Sequence, residues 1–203
     1  MKPNTIAVVA LGVLGFEIFR NPPTTIAQST IFNSNIPANI STRKIALSAG
    51  HWIYARSETG APGEKEMNKL IVEALQPMLE ETGWKVIRPD SPAMMKKWNV
   101  WEQYIADIPT LENQNYQVLE IHGQPGRWGT GVIGNPHDPF DHKLIKQFGI
   151  LKADRGRYGV TRVGRNGTIL EAFASDQLPS TAEGKQELAQ QLARTITDAL
   201  NEP

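Results

Sequence analysis

IALSAGHWIYARSETGAPGEKEMN, residues 45–68, decides how the chain folds. With Lys44 before it, the opening run reads as a buried β-strand closed by Ser48-Ala49-Gly50. A Gly/Pro loop follows, and then "EKEMNKLIVEALQPMLEETG" repeats its apolar residues at helical spacing: Met67, Leu70, Ile71, Ala74, Leu75, Met78 and Leu79. Gly83 sits at the C-cap position, and Pro77 inside the pattern predicts a kink. "WKVIRPD" (84–90) is the next strand. Strand–helix–strand within about 45 residues is a βαβ unit, which requires a mainly parallel sheet. A histidine at the carboxyl end of the first strand, His51, then stands where open α/β sheets form their sites.

Further along, the aromatic spacing of "MMKKWNVWEQYI" (94–105) predicts a short amphipathic helix. "YQVLEIHG" (116–123) is a clear strand. "GQPGRWGTGVIGNPHDPFDH" (123–142) reads as a long loop of the kind usually kept for function. A helix is expected in "DHKLIKQFGILKADRG" (141–156), and two strands, "YGVTRVG" (158–164) and "GTILEAFA" (167–174), around the Asn166-Gly167 turn. The C-terminal helix runs from Ser180 to Leu200, with Ser180-Thr181 before Glu183 as its start signal.

The 203 residues are 40% apolar, carry no net charge and contain no cysteine. Neutrality gives no electrostatic footprint for nucleic acid. The lack of cysteine excludes disulfides, a thiolate nucleophile and thiolate-held metal, so any metal must rest on His, Asp or Glu. No Gly-x-Gly-x-x-Gly follows a strand and no Walker motif occurs, which argues against nucleotide binding. At the N-terminus, Lys2 precedes the apolar run "TIAVVALGVLGF" (5–16), ended by Glu17 and Arg20. Its length suits a secretory h-region better than a full membrane span. Residues 1–20 are therefore read as a signal peptide or uncleaved membrane anchor, with a buried N-terminal helix as the alternative. Residues 21–43 are a linker and 44–203 the folded domain.

Four residues at strand and helix ends carry the chemistry: His51, His122 at the end of "VLEIH", Glu171 at the end of "GTILE", and Glu64 opening the first helix. In a parallel sheet these carboxyl ends lie side by side. Two histidines and a carboxylate with an open fourth position make a catalytic zinc arrangement, and a further glutamate can serve as general base toward the attacking water. "HDPFDH" offers a competing cluster in His137, Asp138, Asp141 and His142, although Asp141 also suits a helix N-cap.

The order "GH", loop, "EKEMN", "EIH", "ILEAF" resembles the zinc-dependent N-acetylmuramoyl-L-alanine amidases of bacterial cell-wall turnover. The resemblance covers about Lys44 to Leu200. It implies zinc bound by His51, Glu64 and His122, with Glu171 catalytic. It also implies a twisted, mostly parallel sheet with helices on both faces, and hydrolysis of the amide between N-acetylmuramic acid and L-alanine in peptidoglycan. Export to the periplasm or cell envelope follows. Arg127 and Trp128, in the loop after His122, would form a substrate wall. Should Glu171 not be the base, Glu66 is the nearest substitute by sequence. The motif flanks differ from the family pattern. Ser48-Ala49 stands for the usual Asp-Pro, Trp52-Ile53 for two glycines and Gly123-Gln124 for Ala-Asn, and one residue is missing between Glu171 and Phe173. A peptidoglycan-binding domain that keeps the fold without catalysis is the rival reading.

Overall fold

The computed structural model describes residues 43–51, 61–91, 93–94, 97, 101–126, 129–153, 155–161 and 165–203. The expected signal or anchor at 1–20, linker residues 21–42, and the proposed wall residues Arg127 and Trp128 lie outside the described residues.

Strands β1 (Lys44–Ala49), β2 (Lys85–Ile87), β3 (Tyr116–Gln124), β4 (Gly131–Ile133) and β5 (Thr168–Ala174) form one sheet in the order β2-β1-β3-β5-β4. The pairs β1–β2, β1–β3 and β3–β5 are parallel, and β4 closes the edge antiparallel to β5. Helices α1 (Glu64–Glu81), α3 (Pro139–Phe148) and α4 (Ala182–Asn201) cover one face, and α2 (Trp101–Asn113) covers the other. The mostly parallel α/β architecture expected from the βαβ unit is present.

Strand alternation divides the core between the faces. Ile45, Leu47, Leu119, Ile121 and Leu170 pack with Met67, Ile71, Leu75 and Leu79 of α1 and with Ala189, Ala193 and Ile196 of α4. Ala46, Tyr116, Val118 and Ile169 pack with Tyr104, Ile105, Ile108 and Leu111 of α2. β1, α1, β3 and α4 lie where their periodicity places them, and α4 begins with Thr181 Oγ1 accepting the Gly184 amide.

Several expectations need correction. The long stretch after His122 is not all loop, because buried Val132 and Ile133 pair with β5 as β4. The helix expected through residue 156 ends at Phe148. Gly149 adopts φ 79°, a left-handed backbone that suits glycine, and Ile150 then bridges to Val132. Within "YGVTRVG", Tyr158–Thr161 is a turn, with Val160 filling the α2 face, and 162–164 lie outside the described residues. The short helix expected around 94–105 is instead α2, which continues through Pro109. Proline has no N–H for the carbonyl four residues back. That carbonyl, of Ile105, accepts Arg165 Nε at 2.7 Å instead.

The rim at the N-terminal ends of the strands is cationic. Arg43 Nη2 donates to Thr82 O at the end of α1, Lys44 Nζ to Gln114 O after α2, and Lys143 Nζ to Glu202 O after α4. Cations at helix C-termini are favourable for the helix dipole. These three also line a cavity of about 420 Å³. Among the described residues no helix is long and apolar enough to cross a membrane.

Candidate metal centre

The opposite rim gathers the strand-end residues. The Gly50 amide donates to Ile121 O at 2.8 Å, carrying the β1–β3 ladder one residue past β1. His51 follows at φ 60°, a conformation that costs a non-glycine residue energy and clusters at functional sites. Its half-buried ring meets His122 edge-on, with centroids 5.0 Å apart and planes at 87°. Gly50 leaves the space, since a Cβ there would strike the His122 ring.

Glu64 is the first residue of α1, where the helix dipole favours a carboxylate. Its Oε2 accepts the Ala61 amide at 2.7 Å, and its Oε1 accepts the Gly123 amide at 3.2 Å. Oε1 also lies 3.1 Å from His122 Nδ1 and 3.6 Å from His51 Nε2. One turn along α1, Asn68 Nδ2 donates to Gly50 O at 3.0 Å and ties the helix to the His51 loop.

His122 and Glu171 are register partners on β3 and β5, and the register shifts immediately after them, between His122 and Gly123. Such bulges re-aim side chains beside active sites. Glu171 is buried. Its Oε1 accepts Gln124 Nε2 at 2.6 Å, whereas Oε2 is buried with no partner among the described residues. Sequence reasoning missed Glu120, also buried, whose Oε1 lies 3.5 Å from His122 Nε2. The alternation of "LEIH" held the signal: residues two apart on a strand share a face.

Three buried carboxylates around two imidazoles make the site short of positive charge. Burial lowers the His122 pKa, but Glu120, Glu64 and Glu171 outweigh it and push the ring up to about 10. Burial and the neighbouring His122 charge lower His51. Burial would raise Glu64, yet His122, the Gly123 amide and His51 bring it below the usual glutamate range. Burial raises Glu171 in spite of His122 and Gln124. A proton on His122 therefore supplies charge that a metal cation would supply more fully.

The donor set fits such a cation. One ligand atom each from His51, Glu64 and His122 lie within 4.8 Å of one another. Two donors at zinc's usual bond lengths and a tetrahedral angle stand about 3.4 Å apart. The Glu64–His122 and Glu64–His51 separations of 3.1 and 3.6 Å bracket that value.

The competing cluster has another purpose. Asp138, not Asp141, caps α3, accepting the Phe140 and Asp141 amides. Asp141 is buried and accepts the Asn135 amide at 2.5 Å and the Thr168 hydroxyl. His137 and His142 are exposed. Glu66, the expected substitute base, points to solvent and pairs with Lys185 at 3.4 Å.

Of the two residues standing where the resembled pattern has Asp-Pro, Ala49 has a partner that explains it. Alanine restores an amide that proline lacks, and the Ala49 N–H donates to buried Asp90 at 3.1 Å. Asp90 is held in turn by a bidentate Arg88 at 2.7 and 2.9 Å. Ser48, where the acid is expected, is the register partner of Glu120.

The chain is similar in structure to the N-acetylmuramyl-L-alanine amidase Ami1 from Mycobacterium smegmatis, with TM-score 0.52 and 16% identity over 80% of this chain and 99% of that one. It is similar to the N-acetylmuramoyl-L-alanine amidase AmiC2 of Nostoc punctiforme, with TM-score 0.51 and 16% identity over 79% and 98%. Its fold is that of these amidases. The catalytic domain of the CD27L endolysin targeting Clostridia difficile aligns with TM-score 0.56 and 19% identity, over 78% of this chain and 96% of that one. No family model and no curated protein matches the sequence.

Proposed function

We propose that this chain is a zinc-dependent N-acetylmuramoyl-L-alanine amidase that hydrolyses the amide between N-acetylmuramic acid and L-alanine in peptidoglycan. One observation carries the reading: His51, Glu64 and His122 converge beside Glu171, whose Oε2 is buried and unpartnered among the described residues. The amidase fold and the order of the motifs along the chain support the substrate class.

In this reading His51, Glu64 and His122 hold the zinc, which when bound supplies Lewis-acid polarisation of the scissile carbonyl and the attacking water. Glu171 Oε2 takes the water's proton and returns it to the departing alanine amine. Its raised pKa brings its basicity toward neutral pH, where a general base works best. Gln124 holds the other oxygen and so fixes the carboxylate's direction. We assign Arg127 and Trp128 to the substrate wall, residues 1–20 to a signal or membrane anchor, and 21–43 to a linker. The place of action is then the periplasm or cell envelope, where the substrate lies.

Glu171→Gln tests the reading, because it keeps size and removes the basic oxygen. The variant should bind one zinc like the parent while release of stem peptides from peptidoglycan falls about 10²–10⁴-fold. Unchanged hydrolysis would assign the base elsewhere. A parent protein that binds zinc and wall fragments but cleaves no peptidoglycan would be a binding domain.

A further inference from the structure

We propose that Glu120 is the positioning carboxylate of His122: it accepts the proton on Nε2, fixes the tautomer that turns Nδ1 to the metal, and so sets zinc affinity. This rests on the metal reading above and adds a residue that the motif resemblance does not assign.

The two nitrogens of His122 face different neighbours. Nδ1 is turned to Glu64 Oε1, 3.1 Å away, which makes it the nitrogen we assign to the donor set. Nε2 is buried and makes no hydrogen bond among the described residues, with Glu120 Oε1 3.5 Å away. A neutral imidazole that gives one nitrogen to a metal must carry its proton on the other, and a metal-bound histidine is oriented by the acceptor of that proton.

The ring has little freedom to find another acceptor. His51 packs edge-on against it at 5.0 Å and Tyr158 at 6.2 Å, while Glu64 holds Nδ1. Glu120 sits two residues before His122 on β3, on the same face of the strand, and both side chains are buried. A carboxylate taken so far from water requires a cationic or N–H partner. Among the described residues, the ion pair seen for Glu120 is the one with His122. Because Glu120 faces Nε2 and Glu64 faces Nδ1, the two acids lie on different sides of the imidazole. Glu120 thus acts through the ring and is not a fourth ligand.

The test measures zinc dissociation constants by chelator competition on the full-length chain and on Glu120→Gln, Glu120→Asp and Glu120→Ala. Circular dichroism of the metal-free proteins checks folding. Glu120→Ala should weaken zinc about 10–100-fold, Glu120→Gln less because its amide oxygen still accepts, and Glu120→Asp should recover part of the loss. The cobalt-substituted Glu120→Gln protein should show a shifted visible spectrum, which a purely structural role for Glu120 would not cause. Should Glu120→Ala fail to fold, the near-isosteric Glu120→Gln decides by the same two readouts. Zinc affinity within twofold of the parent in the folded variants, with an unshifted cobalt spectrum, overturns the proposal. A parent chain that binds no zinc overturns the metal reading itself, so the two failures are distinguishable.

Discussion

Gln124 reaches from β3 to Glu171 on β5, its amide nitrogen 2.6 Å from Oε1. The donor stabilises the ionised carboxylate and opposes the rise that burial imposes on its pKa. Gln124→Met should therefore raise the Glu171 pKa further and, with Glu171 as the proposed base, move the acidic limb of the kcat/KM profile to higher pH. Loss of a hydrogen bond to a charged group is worth about 1.5–3 kcal/mol, so the rate below neutrality should fall at least about tenfold. A limb that stays in place would show that Gln124 does not govern the Glu171 carboxylate.

Gly50 lets β1 pass directly beside the His122 ring. Gly50→Ala should displace that ring and abolish tight zinc binding, with the metal-free fold retained because the contact lies at the rim. Zinc stoichiometry by elemental analysis, beside a far-UV spectrum, checks both halves.

Asp90 serves two donors, the Ala49 amide and the Arg88 guanidinium. Asp90→Ala leaves both unsatisfied and should cost about 3–5 kcal/mol in urea unfolding. Asp90→Asn keeps an acceptor for Ala49 and should cost less. Equal losses in the two variants would mean that the charge on Arg88 dominates.

Asp141 gives a pH signature independent of the metal. Burial holds its carboxyl up at about 6, against an ordinary aspartate value of 3.8. The folded state thus binds the proton more tightly than the unfolded one. The stabilisation is fully present below about pH 4 and is lost as pH rises to about 6. A shift of about two units corresponds to roughly 3 kcal/mol. Asp141→Asn cannot ionise, so its stability relative to the parent should increase across that window, as urea titrations from pH 4 to 7 would show. A constant difference would refute the assignment.

β1, α1, β3 and α4 were legible because their apolar periodicity is decided by burial, and His51, Glu64, His122 and Glu171 were legible because parallel strands bring their ends together. The rest depends on partners distant in sequence. α2 runs through Pro109 because Arg165, far along the chain, takes up the carbonyl that proline leaves free. β4 is only three residues in a glycine-rich stretch, too short to show alternation. Tyr158–Thr161 has β-type residues but serves as a turn whose Val160 plugs the α2 face. Glu120 looked like an ordinary strand residue until the ring beside it was placed.

The cationic rim has a consequence for reach. Arg43 and Lys44 belong to that rim, and β1 carries the backbone from there to His51 over about 20 Å. Arg43 thus stands at the rim opposite the His51–Glu64–His122 cluster. Contacts made at the Arg43 rim and contacts made at the candidate site therefore fall at opposite ends of the strands.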